Sequence, residues 1–445
     1  MERYEKYKDS GVEWIREIPE GWEVKKLKYC VLKVGSGITP KGGANVYQLF
    51  GVPLLRSQNV HFDGLKLDDV AYISQETHDI MANSKVLSGD VLLNITGASI
   101  GRCFYVDNSL GEANVNQHVC IIRPKEGVNK KYLYFILMSN IGQNQIDVEQ
   151  TGSGREGLNF EALNNFLIPQ IKPEEQTAFA NYLDRKTAEI DELIAQKERL
   201  IEMYEEEKTT IINQAVTKGI DTDARLKHSG IDWFGEIPEG WELSKLKYLV
   251  DVKDGTHDTP SYIQQSEKSY PLVTSKDIKS GLIDFSECKH ISFKNYDSIN
   301  KRSDVTKNDI IMPMIGTVGG AVLVETDEPF SIKNVALFKT SISGRVPLYI
   351  KYLIESSIVK KQFDLESRGG VQNFVSLSLL KNIIVFNVSN EDQTAIVNHI
   401  ETETARINAK IAKTKRIIEL QKEYLTALIS EVVMGKIKVT EETTP

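Results

Sequence analysis

The chain has 445 residues, 41% of them hydrophobic, and a formal net charge of -8, a length that predicts two or three domains with cores of their own. No run of about 18 apolar residues occurs, and the opening MERYEKYKDSG lacks the apolar segment of a signal peptide, so no membrane span and a cytoplasmic location are expected. The acidic balance argues against a uniformly basic nucleic-acid binder, but the charge is uneven: Glu174 to Gly219 carries about five excess negative charges while Leu246 to Lys381 is slightly positive.

In chain order, the segment from Ser10, SGVEWIREIPEGWEVKKLKY, is followed by an interior of mixed α and β character. VPLLRSQNV (from Val52), GDVLLNITG (from Gly89), GRCFYV (from Gly101) and HVCIIRP (from His118) are short apolar or alternating runs between glycine and Asn/Asp punctuation, hence strands and turns. KKYLYFILMS (from Lys130) predicts a helix. From Glu174 a long proline-free helix is expected, with Ile190, Leu193, Ile194, Leu200, Ile201, Tyr204, Ile211, Ile212 and Ala215 in a heptad-like stripe.

The chain then starts again. SGIDWFGEIPEGWELSKLKY from Ser229 matches the first segment at 14 of 20 positions, which marks an internal repeat. A second interior follows, with strands at YPLVTSKDI (from Tyr270), NDIIMPMIGTVGGAVLVE (from Asn308) and VALFKT (from Val335) and a helix at LYIKYLIES (from Leu348). A second long helix opens on EDQTA, as the first opens on EEQTA, with Asn390 as its N-cap. Its stripe is Ile407, Ile411, Ile417, Ile418, Tyr424, Leu425, Leu428 and Val432, with Lys197 and Gln421 as polar interruptions of the two stripes. Each stripe needs a cover, and the simplest geometry is an antiparallel pair. The frames match while the interiors share almost no sequence, as expected if two similarly mounted modules read different things.

A search for catalysis finds no phosphate loop, no HExxH, no GxSxG and no kinase set. Gly152, Gly154 and Gly157 satisfy GxGxxG, but the polar NQIDVEQ before them is no buried strand. Cys30, Cys103, Cys120 and Cys288 lie at no zinc-ligand spacing and are expected to be reduced and structural. Asp254, His257 and Asp258 are close enough to suggest a metal, but such side chains on a turn more often shape the loop by hydrogen bonds. Trp14, Trp22, Trp233 and Trp241 belong to the repeated frame and are expected to pack it.

The polar residues on glycine-rich turns and strand ends are the candidates for nucleic-acid contact. They are Lys41 in KVGSGITPKGG, Arg56, Ser57 and Asn59 in LLRSQNV, Arg102 after TGASIG, and Arg155 in SGREG in the first half. In the second they are Thr256 and His257 in DGTHDTP, Lys276 in LVTSKDI and Arg368 in SRGGVQN. Glycine lets the backbone approach a surface, and arginine makes bidentate contacts to phosphate or a guanine edge.

The repeated frame, the GDVLLNITGASIG and NDIIMPMIGTVGG segments, the DGTHDTP loop and the two EQTA/DQTA helices together resemble the specificity (S) subunit of type I restriction-modification systems, over nearly the whole chain. The resemblance implies a mixed α+β fold with a pseudo-twofold internal repeat: two target recognition domains, 1–168 and 221–386, separated by a pair of long antiparallel coiled-coil helices in 169–220 and 387–445. It implies a non-catalytic chain that binds a bipartite, asymmetric double-stranded DNA target, one domain per half. Two methyltransferase (modification) subunits and the restriction/translocase subunits would dock on it, S-adenosylmethionine, ATP and magnesium being bound by those partners. The alternative is a protein-interaction scaffold with two similar binding modules. One departure stands out: Arg16 occupies the place of Gly235.

Overall fold

In a computed structural model the structure describes residues 2–153, 157–279, 281–314, 320–366 and 375–439. Packing divides the chain into two units, Met1–Glu198 with Lys415–Pro445, and Arg199–Thr414. The sequence-drawn division sets the long helices apart as separate segments; by packing, each helix is shared between the units.

In the first unit a four-stranded antiparallel sheet runs in the order Cys103–Tyr105, Val91–Asn94, Val119–Pro124, Val31–Ser36. A smaller sheet sets Asn114–Val115 parallel to Val52–Leu55, which pairs antiparallel with Ala71–Ile73. The second unit repeats this order with Val322–Leu323, Ile310–Pro313, Val335–Phe338 and Val252–Asp254. Its smaller sheet again holds a parallel pair, Ser331–Ile332 with Ser269–Val273, and adds Tyr262–Ile263 at one edge.

The cores coincide although the sequences do not. Leu55, Leu92, Val106, Val115, Val119 and Ile121 pack together in one unit, and Val273, Ile311, Val324, Ile332, Val335 and Leu337 stand at the matching places in the other. Burial selects for apolar volume rather than identity, so leucine, isoleucine and valine exchange freely. The turn before the central strand is left-handed in both units, at Gly89 (φ 98°) and at Asn308 (φ 68°); asparagine is one of the few residues besides glycine that tolerates this region. Arg16 (φ 62°) keeps the backbone of Gly235 (φ 70°), so the departure in sequence leaves the turn unchanged.

The long helices span Pro173–Lys218 and Asn390–Val433, of 46 and 44 residues, about 69 and 66 Å at 1.5 Å per residue. Ser389 rather than Asn390 caps the second: its Oγ accepts from Asp392 N at 3.0 Å, while Asn390 Nδ2 donates to Gly344 O. The repeated glutamine of EQTA and DQTA fixes each helix start. Buried Gln176 accepts from Asn129 N and donates to Ile171 O, and buried Gln393 does the same with Val346 N and Val388 O. Gln145 and Gln362 form a second matched clamp, each bonding both backbone groups of one residue, Leu167 and Ile384.

Within the second unit the helices run antiparallel. Arg406 Nη2 is 3.4 Å from Glu207, Lys208 Nζ 3.4 Å from Asn408, and Lys410 lies over the Tyr204 ring. The predicted stripes are corrected at two positions, since Leu193 and Tyr424 are 44% and 50% exposed while Ile190, Ile194, Ile407, Ile411 and Leu428 are buried. Gln421 Oε1 is buried without a partner among the described residues. The frame tryptophans Trp22 and Trp241 are buried, against Phe179 and Phe386 respectively. Among the described residues, no helix is long and apolar enough to cross a membrane.

Candidate nucleic-acid interface

In each unit one edge of the main sheet gathers the glycine-rich loop and several strand ends, and backbone contacts hold that edge. Strand Val31–Ser36 ends at Gly37, whose N donates to Asn116 O at 3.1 Å. A Cβ on Gly37 would lie 1.7 Å from Val115 O. In the second unit Gly255 N donates to Val335 O and Thr256 N to Ile332 O, both at 3.0 Å, and a Cβ on Gly255 would lie 2.1 Å from Ile332 O. Only glycine lets the two segments approach so closely. Gly255→Ala is expected to destabilise its unit by about 1–3 kcal/mol through overpacking and to displace the loop, read as a lowered denaturation midpoint. Gly37→Ala is expected to do the same in the first unit.

The side chains on the first unit's edge form a chain. Thr39 Oγ1 donates to Gln117 Oε1 at 2.6 Å, Gln117 Nε2 lies 2.9 Å from His118 Nε2, and His118 Nδ1 lies 2.5 Å from Thr96 Oγ1. Beneath them buried Asn94 donates through Nδ2 to Ser57 O and Ser99 Oγ, tying two loops together. Arg102 is beside this tie, its Nη1 3.5 Å from His61 Nδ1. Lys41 is exposed on the glycine-rich loop.

Two of the expected contact residues are spent inside the unit. Asn59, 1% exposed, accepts from Arg56 N and donates to Lys66 O. It shapes a turn whose counterpart is closed by Asp277, which accepts from Thr274 N at 2.8 Å. Arg56 donates to Asp69 O at 2.8 Å and its side chain lies over Tyr47, while Ser57 is half-buried and Lys276 exposed. Arg155 and Arg368 lie outside the described residues.

The second unit's edge is organised by a charge. Asp254, the last residue of its strand, has a side chain only 5% exposed, and both its oxygens are engaged. Oδ1 accepts from Arg302 Nη2 and Oδ2 pairs with His257 Nε2 at 2.9 Å. The other ring nitrogen of His257 is 2.9 Å from Asn334 Oδ1. Thr256 Oγ1 accepts from Asp258 N at 3.2 Å and closes a local turn. Of the residues that hinted at a metal, Asp254 and His257 thus bond each other, while Asp258 joins the turn through its backbone. Among the described residues no group of three or more His, Cys, Asp and Glu is arranged to hold a metal ion.

Sequence reasoning missed Arg302, Asn334, Gln117 and His118. Arg302 is 48 residues from Asp254 in the chain, and no local pattern links them. The thiols offer no chemistry: all four are free and buried, and burial pushes Cys120 and Cys288 up to about 12 and Cys103 further, where they stay protonated and unreactive. What the edges offer is a set of fixed hydrogen-bond donors and acceptors differing between the two units, the equipment of recognition.

The comparisons with known proteins agree. The family model described as the type I restriction modification DNA specificity domain matches residues 19–203. Over 434 residues, 95% of this chain and 94% of the relative, the sequence is 30% identical to the type I restriction enzyme MjaVIII specificity subunit of Methanocaldococcus jannaschii. The EcoBI specificity subunit of Escherichia coli is 25% identical over 372 residues, 79% of this chain and 73% of that one. Among solved structures, a chain from work on complex assembly and conformational transition of the type I R-M system superposes with a TM-score of 0.66 at 15% identity, covering 94% of this chain and 99% of that one. The HsdS subunit from Thermoanaerobacter tengcongensis gives 0.53 at 15% identity, covering 94% and 98%. The repeat, the two equivalent edges and the full-length similarity have one source: this chain belongs to the specificity subunits of type I restriction enzymes.

Proposed function

We propose that the chain is the DNA-reading subunit of a type I restriction-modification complex, each unit recognising one half of a bipartite, asymmetric target with its loop edge. The observation that carries this is the contrast between frame and edge. Two scaffolds match in the order of their main sheets and clamp for clamp, and yet Thr39, Gln117 and His118 line one edge where Asp254, His257 and Asn334 line the other. A module that met the same surface twice would repeat its contacts; one that reads two sequences must vary them, since base edges differ while phosphates do not.

The chain itself carries out no chemistry in this reading. The repeated frame and long helices receive two modification subunits, which hold S-adenosylmethionine, and the restriction subunits, which hold ATP and magnesium. Exchanging residues 30–165 for the same segment of another specificity subunit is expected to change one half of the methylated motif in cells and leave the other untouched. A motif unchanged in both halves by a folded, assembled chimera would refute half-site reading.

A further inference from the structure

We infer that Arg302 is a base-reading residue of the second unit, held toward a guanine edge of the target by Asp254 and His257. The inference rests on the half-site reading above and adds to it a specific residue and its ligand.

Three observations carry it. First, Arg302 is anchored without being buried. Its side chain is 57% exposed, whereas the carboxylate that accepts from its Nη2 is 5% exposed. The anchor fixes the plane of the guanidinium and leaves the rest of its fork facing out, with no other acceptor on it among the described residues. A surface arginine with no task would be left free to lose little entropy; one tied through a single N–H of Nη2 keeps the second N–H of that nitrogen, which with its neighbouring nitrogen still forms a fork, and is preorganised to use it.

Second, His257 is less available than its exposure indicates. It is 51% exposed, yet both ring nitrogens face partners within the unit, Asp254 and Asn334, at 2.9 Å. Asn334 is itself fixed in the left-handed region (φ 55°), with its N donating to Thr256 O. His257 therefore acts as a strut that holds Asp254 from the side opposite Arg302. The residue that sequence reasoning favoured positions the one it missed.

Third, the device belongs to one unit only. Arg302 precedes buried Ser303 as Asn83 precedes buried Ser84, and Asp254 faces Ala336 across the sheet as Ser36 faces Cys120. Asn83 and Ser36 cannot make the ion pair. A contact serving the fold or the phosphate backbone would be useful in both units; a contact that reads a base need serve only one. Arginine presented as a fork matches the O6 and N7 acceptors of guanine in the major groove.

The test uses the full chain assembled with its modification subunits. Exchange of residues 221–386 first identifies the half-site tied to the second unit. Arg302→Ala is then expected to relax the requirement at one G·C pair of that half-site by about 10- to 100-fold, the discrimination an arginine fork provides, and to lower the melting temperature as well, because the buried Asp254 carboxylate loses a partner; the base-specific change in the motif is the readout that a loss of stability alone would not produce. Arg302→Lys keeps the charge but not the fork and is expected to give no rescue. Asp254→Asn is expected to relax the same base pair and no other. Loss of binding that is equal on all sequences, with a salt dependence lowered by about one contact, means a phosphate contact and overturns base reading, as does an unaltered motif. If the exchange of 221–386 moves neither half, the half-site reading itself has failed.

Discussion

Asp309→Ala is expected to destabilise the second unit by about 3–5 kcal/mol, the cost of stranding one member of a buried ion pair. Asp309 and Lys339 have side chains 0% and 3% exposed and meet at 2.7 Å. The carboxylate also accepts from Thr306 N at 2.9 Å and from Ser341 Oγ at 2.7 Å, and the ammonium donates to Asp304 O at 2.6 Å. Removing Asp309 leaves the ammonium in a site water does not reach. The first unit holds the same pair as Asp90 and Arg123, at 2.7 Å, but there the arginine is 25% exposed. Asp90→Ala leaves a cation that reaches solvent, and its cost is expected nearer the 1–3 kcal/mol of a lost buried acceptor. Hydrogen exchange followed on peptides from each unit separates the two: unequal losses are expected, and equal ones would show that burial of the cation does not set the cost. The paired replacement Asp309→Leu with Lys339→Met is expected to recover most of the loss, because it removes both charges together.

Insertion of about four residues between Ala195 and Lys208 is expected to lengthen the unspecified gap of the DNA target by roughly two base pairs while leaving both half-sites unchanged. The insertion adds about 6 Å of helix, against a rise of about 3.4 Å per base pair. Four residues are close to one turn, so the apolar stripe keeps its phase to within about 40°. The span is suited to this because the division between units, at Glu198 and Arg199, falls inside it, and Pro173–Lys218 contains no internal proline or glycine. Genome-wide mapping of methylated bases reads the result. A motif with altered halves and an unaltered gap would rule out the helix as the measure of spacing.

The repeat, the strands around GDVLLN and NDIIMP and the long helices were legible because each has a local signature: a repeated frame, an apolar run after a turn, a heptad-like stripe. The equivalence of the cores was not, since Val115 and Ile332 or Leu55 and Val273 are alike only in being buried. Nor was the purpose of the EQTA motif, whose Gln176 finds its partner at Asn129, 47 residues back. For the candidate site, exposed polarity on a turn was the only signal. It selected Lys41, Arg102, His257 and Lys276, on the loops near the edges, but equally Asn59, whose amide closes a buried turn. Whether a polar side chain faces inward or outward at a turn depends on the backbone curl, which adjacent residues do not reveal.

The close approach of Gly37 to Val115 and of Gly255 to Ile332 separates what keeps the protein folded from what it says. At these two points the edge loops are held by main-chain bonds, so exposed loop residues outside the side-chain networks of each edge can be replaced at a cost within about 0.5 kcal/mol. Such a surface can drift through many alphabets while its stability stands still. The two glycines hold the scaffold of each edge constant while the side chains around it differ.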